Sequence, residues 1–174
     1  MADSLSLDVR ASCNWLFQDG LDLSTVSDAS KLEYTAALAD GTGDGQVDKM
    51  WHDERSLSSA QSEDLDLTGL DLTLFGSTVT IVLAKVKALL IVNTSTTAGD
   101  DLLVGGAGAG NDGWGAPFDG DQDAQVSVPA DSVLMLMNKK DGWTVTGGSN
   151  DALRIENTSA NTVTYRIAII GTSS

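Results

Sequence analysis

Cysteine, histidine, proline and positive charge are all scarce in this chain of 174 residues. Its single cysteine, Cys13, excludes an intrachain disulfide framework and any paired-cysteine zinc motif. One histidine, His52, leaves little for imidazole chemistry. Lys and Arg number 10 against 25 Asp and Glu, a formal net charge of -15. So acidic a chain lacks the basic face that displaces counterions from phosphates, so no nucleic-acid partner is expected. Docking on anionic membranes is disfavoured for the same reason. No run approaches the ~20 apolar residues of a membrane span. The opening Met1-Ala2-Asp3-Ser4 has neither the basic nor the apolar stretch of a secretory leader, and none is expected.

What the chain has is alternation. From Leu5 to Phe17 the odd positions read Leu5, Leu7, Val9, Ala11, Cys13, Trp15 and Phe17, with mostly polar residues between them. Successive strand side chains point to opposite faces, so this pattern predicts a strand with one apolar face, on which Cys13 is a small buried hydrophobe. The alternation returns at Leu32–Leu38, at Leu65 and Leu67, and at Leu70–Leu74. It continues from Val79 to Val92, where Ala88-Leu89-Leu90-Ile91-Val92 is apolar on both sides, as in a strand covered twice or used in a subunit contact. Further strands are predicted at Gln125–Val128, Ser132–Asn138, Gly142–Thr146, Ala152–Glu156 and Thr162–Ile170, separated by Gly/Asn/Asp turns. Short strands at this spacing read as an all-β fold, an antiparallel β-sandwich over the C-terminal half.

Two segments are read as loops. Asp40-x-Thr42-x-Asp44-Gly45-Gln46-x-Asp48 places oxygen ligands at alternate positions with a glycine sixth, as a calcium loop does. Asp40, Asp44 and Asp48 are therefore the candidate metal ligands, calcium being the one candidate ion and no other cofactor being expected. Position three is Thr and position twelve is Trp51, so an acidic turn between strands is the plainer account. The second loop, Asp100 to Asp123, has no Lys or Arg and sets Trp114 and Phe118 among glycines and aspartates. It suggests either a sugar-binding surface or an excursion whose aromatic rings pack on the same or a neighbouring subunit. Ser56–Glu63 is a third and weaker candidate, a serine-rich loop or short helix. Catalysis is poorly supported: a Ser-His-Asp triad would need His52 beside Asp53, there is no G-x-S-x-G elbow, and no phosphate-binding lysine follows the glycine run at Gly105–Gly110. No enzymatic activity is expected.

Residues Asp40–Trp51, reading DGTGDGQVDKMW, are similar to a segment of small virion proteins of tailed bacteriophages. Arg55-Ser56-Leu57, Glu63–Leu67, Phe75-Gly76, Lys85–Asn93, Gly142–Val145, Leu153–Asn157 and Thr164–Gly171 fit the same pattern, which spans about residues 31 to 171. The resemblance implies a jelly-roll sandwich over residues 31–174, preceded by a strand or arm and linker over residues 1–30. It implies a capsid decoration (cement) protein, a homotrimer bound to the major capsid protein on the outer surface of the head, with no catalytic residues. A tail, baseplate or fibre-base protein and a glycan-binding module are the alternatives. The arm is expected either to pair with a neighbouring sheet or to be an ordinary strand of the sandwich. Leu5, Leu7, Val9, Trp15 and Phe17, with Trp114 and Phe118, are the expected partner contacts.

Overall fold

The computed structural model describes residues 4–74 and 76–174. Met1, Ala2 and Asp3 of the opening tetrapeptide and Phe75 of the Phe75-Gly76 pair lie outside the described residues.

The chain is almost entirely strand. A hairpin of β1 (Leu7–Gly20) and β2 (Thr25–Asp40) comes first, followed by β3 (Gln46–Val47), β4 (Lys49–Leu57), β5 (Ser62–Asp66), β6 (Leu70–Leu74) and β7 (Ser77–Ile81). Next come β8 (Lys85–Asn93), β9 (Leu102–Gly106), β10 (Gln125–Val128), β11 (Val133–Met137), β12 (Trp143–Thr144), β13 (Ala152–Asn157) and β14 (Val163–Thr172). Two antiparallel sheets form the body. One has the order β4-β14-β8-β11, with β12 also on β8; the other has the order β5-β13-β9-β10. The expected all-β antiparallel sandwich is what the chain forms.

The two sheets face each other because each presents one apolar side. In β14, Val163, Tyr165, Ile167 and Ile169 point inward, with Thr164, Arg166 and Ala168 between them. They meet Leu153 and Ile155 of β13 and Leu102 and Val104 of β9 in one continuous core. Each fully buried aliphatic side chain here contributes about 1.5–3 kcal/mol. The alternation of β14 breaks at a bulge between Ile170 and Gly171, where the pairing with β8 skips a residue. Gly171 is required there: a Cβ would stand 1.9 Å from the Lys85 carbonyl oxygen.

Buried polar groups tie the strand ends. Asn157, fully buried on β13, donates to the carbonyls of Leu57, Ser58 and Asn161 and accepts from the Ser159 amide. Asn93 at the end of β8 donates to the carbonyls of Asp100 and Val128. Among the described residues no buried side-chain nitrogen or oxygen is left unpaired, as expected where each orphan would cost ~1–3 kcal/mol.

Three strand assignments differ from the sequence reading. Lys49–Leu57 is the strand β4, Leu102–Gly106 inside the second loop is β9, and β2 begins at Thr25, seven residues before the alternation becomes clear. The boundary expected between residues 30 and 31 therefore falls inside β2. Ser58–Gln61 is the turn between β4 and β5 and contains no helix.

The buried Asp100 carboxylate accepts from Asn161 Nδ2 at 2.9 Å and Ser95 Oγ at 2.7 Å. Those bonds, the first foremost, hold it below the ordinary carboxylate range despite burial, which acts the other way. A depressed acid stabilises the fold above its unfolded value, near ~3.9, and loses that contribution as pH falls through the folded value. Asp100→Asn is expected to lower the melting temperature at neutral pH, with the gap to wild type narrowing as pH falls below the unfolded carboxylate value. Thermal unfolding followed by circular dichroism across that range checks this, and a gap independent of pH would refute it.

Candidate interaction surface

The calcium-loop candidates do not come together. Asp40 closes β2 and its Oδ1 accepts from the Leu5 amide at 3.0 Å. Asp48 accepts from both the amide and the hydroxyl of Ser173, pinning the C-terminal segment. Asp44 is exposed in the turn between them. The loop's geometry is set by its own backbone: the Ala39 amide donates to the Gly45 carbonyl, the Gly41 amide to that of Val47, and Gln46 Oε1 accepts from the Gly43 amide. Among the described residues no three His, Cys, Asp or Glu side chains are grouped to hold a metal ion. The metal assignment to Asp40, Asp44 and Asp48 is corrected accordingly: two of the three carboxylates are spent on backbone amides.

Lys87 is the residue that fixes this loop, and sequence reading missed it. Its side chain is buried and Nζ donates to the carbonyls of Gly43, Lys139 and Lys140. Desolvation lowers its pKa, with Lys85 adding to the effect. A lysine within an apolar run is the one signal that could have marked it.

The second loop is also built differently from the expectation. Trp114 is 0% exposed, sits in the core, donates from Nε1 to the Thr144 carbonyl at 3.0 Å and meets Trp143 edge-on at 6.5 Å. It is thus neither a partner contact nor a sugar platform, and its assignment as a contact residue is corrected. The glycines around it serve close approach: a Cβ on Gly106 would lie 2.0 Å from the Gln122 carbonyl oxygen, so only glycine lets the loop backbone lie against β9. Phe118 is half-buried.

His52 and Asp53 are neighbours on β4 and so point to opposite sides of the sheet. Asp53 Oδ2 accepts from Arg55 at 3.0 Å, and Arg55 also pairs with Glu63, which accepts from the buried Tyr165 hydroxyl. His52 instead lines a groove of about 630 Å3 with Leu5, Asp40, Thr42, Met50 and Val79. The candidate triad partners are thus not brought together.

The surface that stands out is the β1–β2 hairpin. Its ladder has fourteen pairs, from Leu7 opposite Leu38 to Gly20 opposite Thr25, and is roughly 45 Å long at ~3.4 Å per residue. Directly paired residues share a face, so Leu7/Leu38, Val9/Ala36, Ala11/Tyr34, Cys13/Leu32, Trp15/Ser30 and Phe17/Asp28 form one side of the ribbon. Only its root is covered. There Ala36 and Leu38 are buried and Leu7 and Val9 partly so, packed with Leu5, Ala88, Ile170, Met50 and Met137 on the outer face of the β4-β14-β8-β11 sheet. Leu5, Leu7 and Val9, expected as partner contacts, thus lie partly buried against the chain's own sheet. Beyond Ala11 the ribbon projects: Leu32 is 70% exposed, Phe17 69%, and Trp15, Tyr34, Leu21 and Leu23 are exposed too. Cys13 is exposed as well, not buried as its apolar side predicts, because nothing in the chain lies against that stretch.

Trp114→Ala is expected to cost about 3–5 kcal/mol in urea unfolding, as for a core aromatic. Phe118→Ala, on a half-buried ring, is expected to cost well under that; equal costs would contradict the placement of the two rings. No family model, curated protein or solved structure matches the chain, which leaves the geometry above to speak to its function.

Proposed function

We infer that the chain is a structural protein of a tailed-phage particle: a decoration protein that binds the major capsid protein on the outer surface of the head, acts as a homotrimer and stabilises the shell against packaged DNA. The observation that carries this is a jelly-roll-like strand order joined to a ribbon with an exposed apolar stripe. In chain order the eight body strands β4, β5, β8, β9, β10, β11, β13 and β14 divide as first-eighth-third-sixth and second-seventh-fourth-fifth. That division is like the pairing of two interleaved Greek keys, an architecture used in viral capsid domains, and supports this reading. The phage-like residue pattern over Asp40–Trp51 and the later strands supports the same assignment.

The physics of such a role fits the molecule. A cement protein acts by bridging several shell subunits at once, and simultaneous engagement turns weak single contacts into durable attachment. It requires a stiff scaffold and a projecting contact element. A net charge of -15 on the outside would keep particles apart, whereas the same charge facing inward would be repelled by DNA. The sugar-binding reading loses its main aromatic with Trp114 buried.

The test is to add purified chain to heads that lack it and image them. Density on the outer shell, with greater resistance to heat-induced DNA release, is the expected outcome. Failure to bind, or density on the inner surface, overturns the assignment. Copy number separates the tail alternative: hundreds per virion fit a head protein, a handful a tail or baseplate part.

A further inference from the structure

The outer face of the β4-β14-β8-β11 sheet is organised in rows by its registers. The first row is Met137, Ala88, Ile170 and Met50; the second Met135, Leu90, Ala168 and His52; the third Val133, Val92, Arg166 and Glu54. The hairpin root covers the first row and reaches only Ala168 of the second. In the second, Leu90 is 38% and Met135 37% exposed, and in the third Val133 is more exposed still. Between this face and the ribbon lies an apolar wedge of about 320 Å3, lined by Leu7, Val9, Ala88, Leu90, Met135 and Ala168.

Two uncovered apolar surfaces therefore begin at the same junction and diverge from it. One is the ribbon's free stripe of Ala11, Cys13, Trp15, Phe17, Leu32 and Tyr34; the other is the sheet's second row with Val133. Each continues a surface already joined to the other at the root, where Leu7, Val9, Ala36 and Leu38 lie on Ala88 and Ile170. Within one chain the packing of the stripe on this sheet face ends at Val9 and Ala36, and the exposed stripe beyond continues the same apolar side of the ribbon. A two-stranded ribbon alone is marginal in water and requires a layer against it.

We propose that the free stripe of one copy covers the Met135-Leu90-Ala168 row of a second copy, so that the chain assembles by exchange of arms. The occupant is a second copy because the contact extends, between chains, the same stripe-on-sheet packing that the root makes within one. Both surfaces are made of side chains of the same kind, and the ion pair of Arg166 with Glu54 at 2.6 Å bounds the row on one side. This inference rests on the self-associating part of the function inferred above and specifies its contact; it does not depend on attachment to a head.

Sedimentation or light scattering of the full chain is expected to report a multiple of the single-chain mass. Combined Trp15→Ser, Phe17→Ser and Leu32→Ser should reduce it to one chain, with the circular-dichroism spectrum retained because those residues lie outside the core. Leu90→Glu and, independently, Met135→Glu should do the same from the other side. Mixing the arm variant with a sheet variant should restore association, since each supplies what the other lacks. A single-chain mass for wild type overturns the proposal and leaves the stripe to a different protein. It is overturned too if the arm variant stays assembled, or if both sheet variants fold and stay assembled. Head binding is read separately, so an assembled chain that ignores heads sinks the decoration role and spares the arm exchange.

Discussion

β8 carries apolar side chains on both sides of its ladder, and such a strand requires a layer against each face. Leu89 and Ile91 point into the sandwich; Ala88 and Leu90 point away from it. The rest of the architecture follows from that demand. The inner layer is the sheet built on β13 and β9, and the outer one is begun, but not completed, by the hairpin root. The protein is thus two and a half layers, and the missing half leaves Leu90, Met135 and Val133 exposed. A sheet satisfied on one face would have allowed a plain sandwich and no arm.

The bulge at Ile170–Gly171 belongs to the same arrangement. The central strand β14 alternates through Ile170, which points to the hairpin side as Ala168 does, and at the bulge Gly171 brings the backbone against Lys85. The strand thus ends beside the junction with the arm, where Asp48 holds Ser173 and Lys87 gathers the carbonyls of Gly43, Lys139 and Lys140.

Periodicity located the strands whose two faces meet different surroundings. Gln125–Val128 matches β10, and Ala152–Glu156 and Thr162–Ile170 lie within a residue or two of β13 and β14. The doubly apolar Ala88–Val92 marked a strand with apolar side chains on both faces, of which the hairpin root covers Ala88. Where both faces of a strand meet water, no contrast exists to detect: Thr25–Ser30 is exposed throughout, Val26 included, and it joins the ladder only through its pairing with Trp15–Gly20. β9 was hidden for another reason, since its Gly105-Gly106 resembles a loop until the close approach of Gln122 and Ala124 is seen. The same blindness to three-dimensional neighbours misjudged Trp114 and Cys13. A tryptophan among glycines reads as surface, and a cysteine in an apolar row reads as core, although it is the layer opposite that decides each case.

The parallel bridge that joins Ala39 and Asp40 to Gln46 and Val47 also has a bearing on assembly. With Asp40 fastened to Leu5 and the adjoining turn clamped by Lys87, the ribbon is seated at both of its strands rather than hung from a single swivel. Its bearing relative to the body is set when the monomer folds. For the arm exchange proposed above, a pre-aimed lever of this kind would begin with much of the orientational search already complete, and association would draw less on the freedom that a slack tether has to surrender.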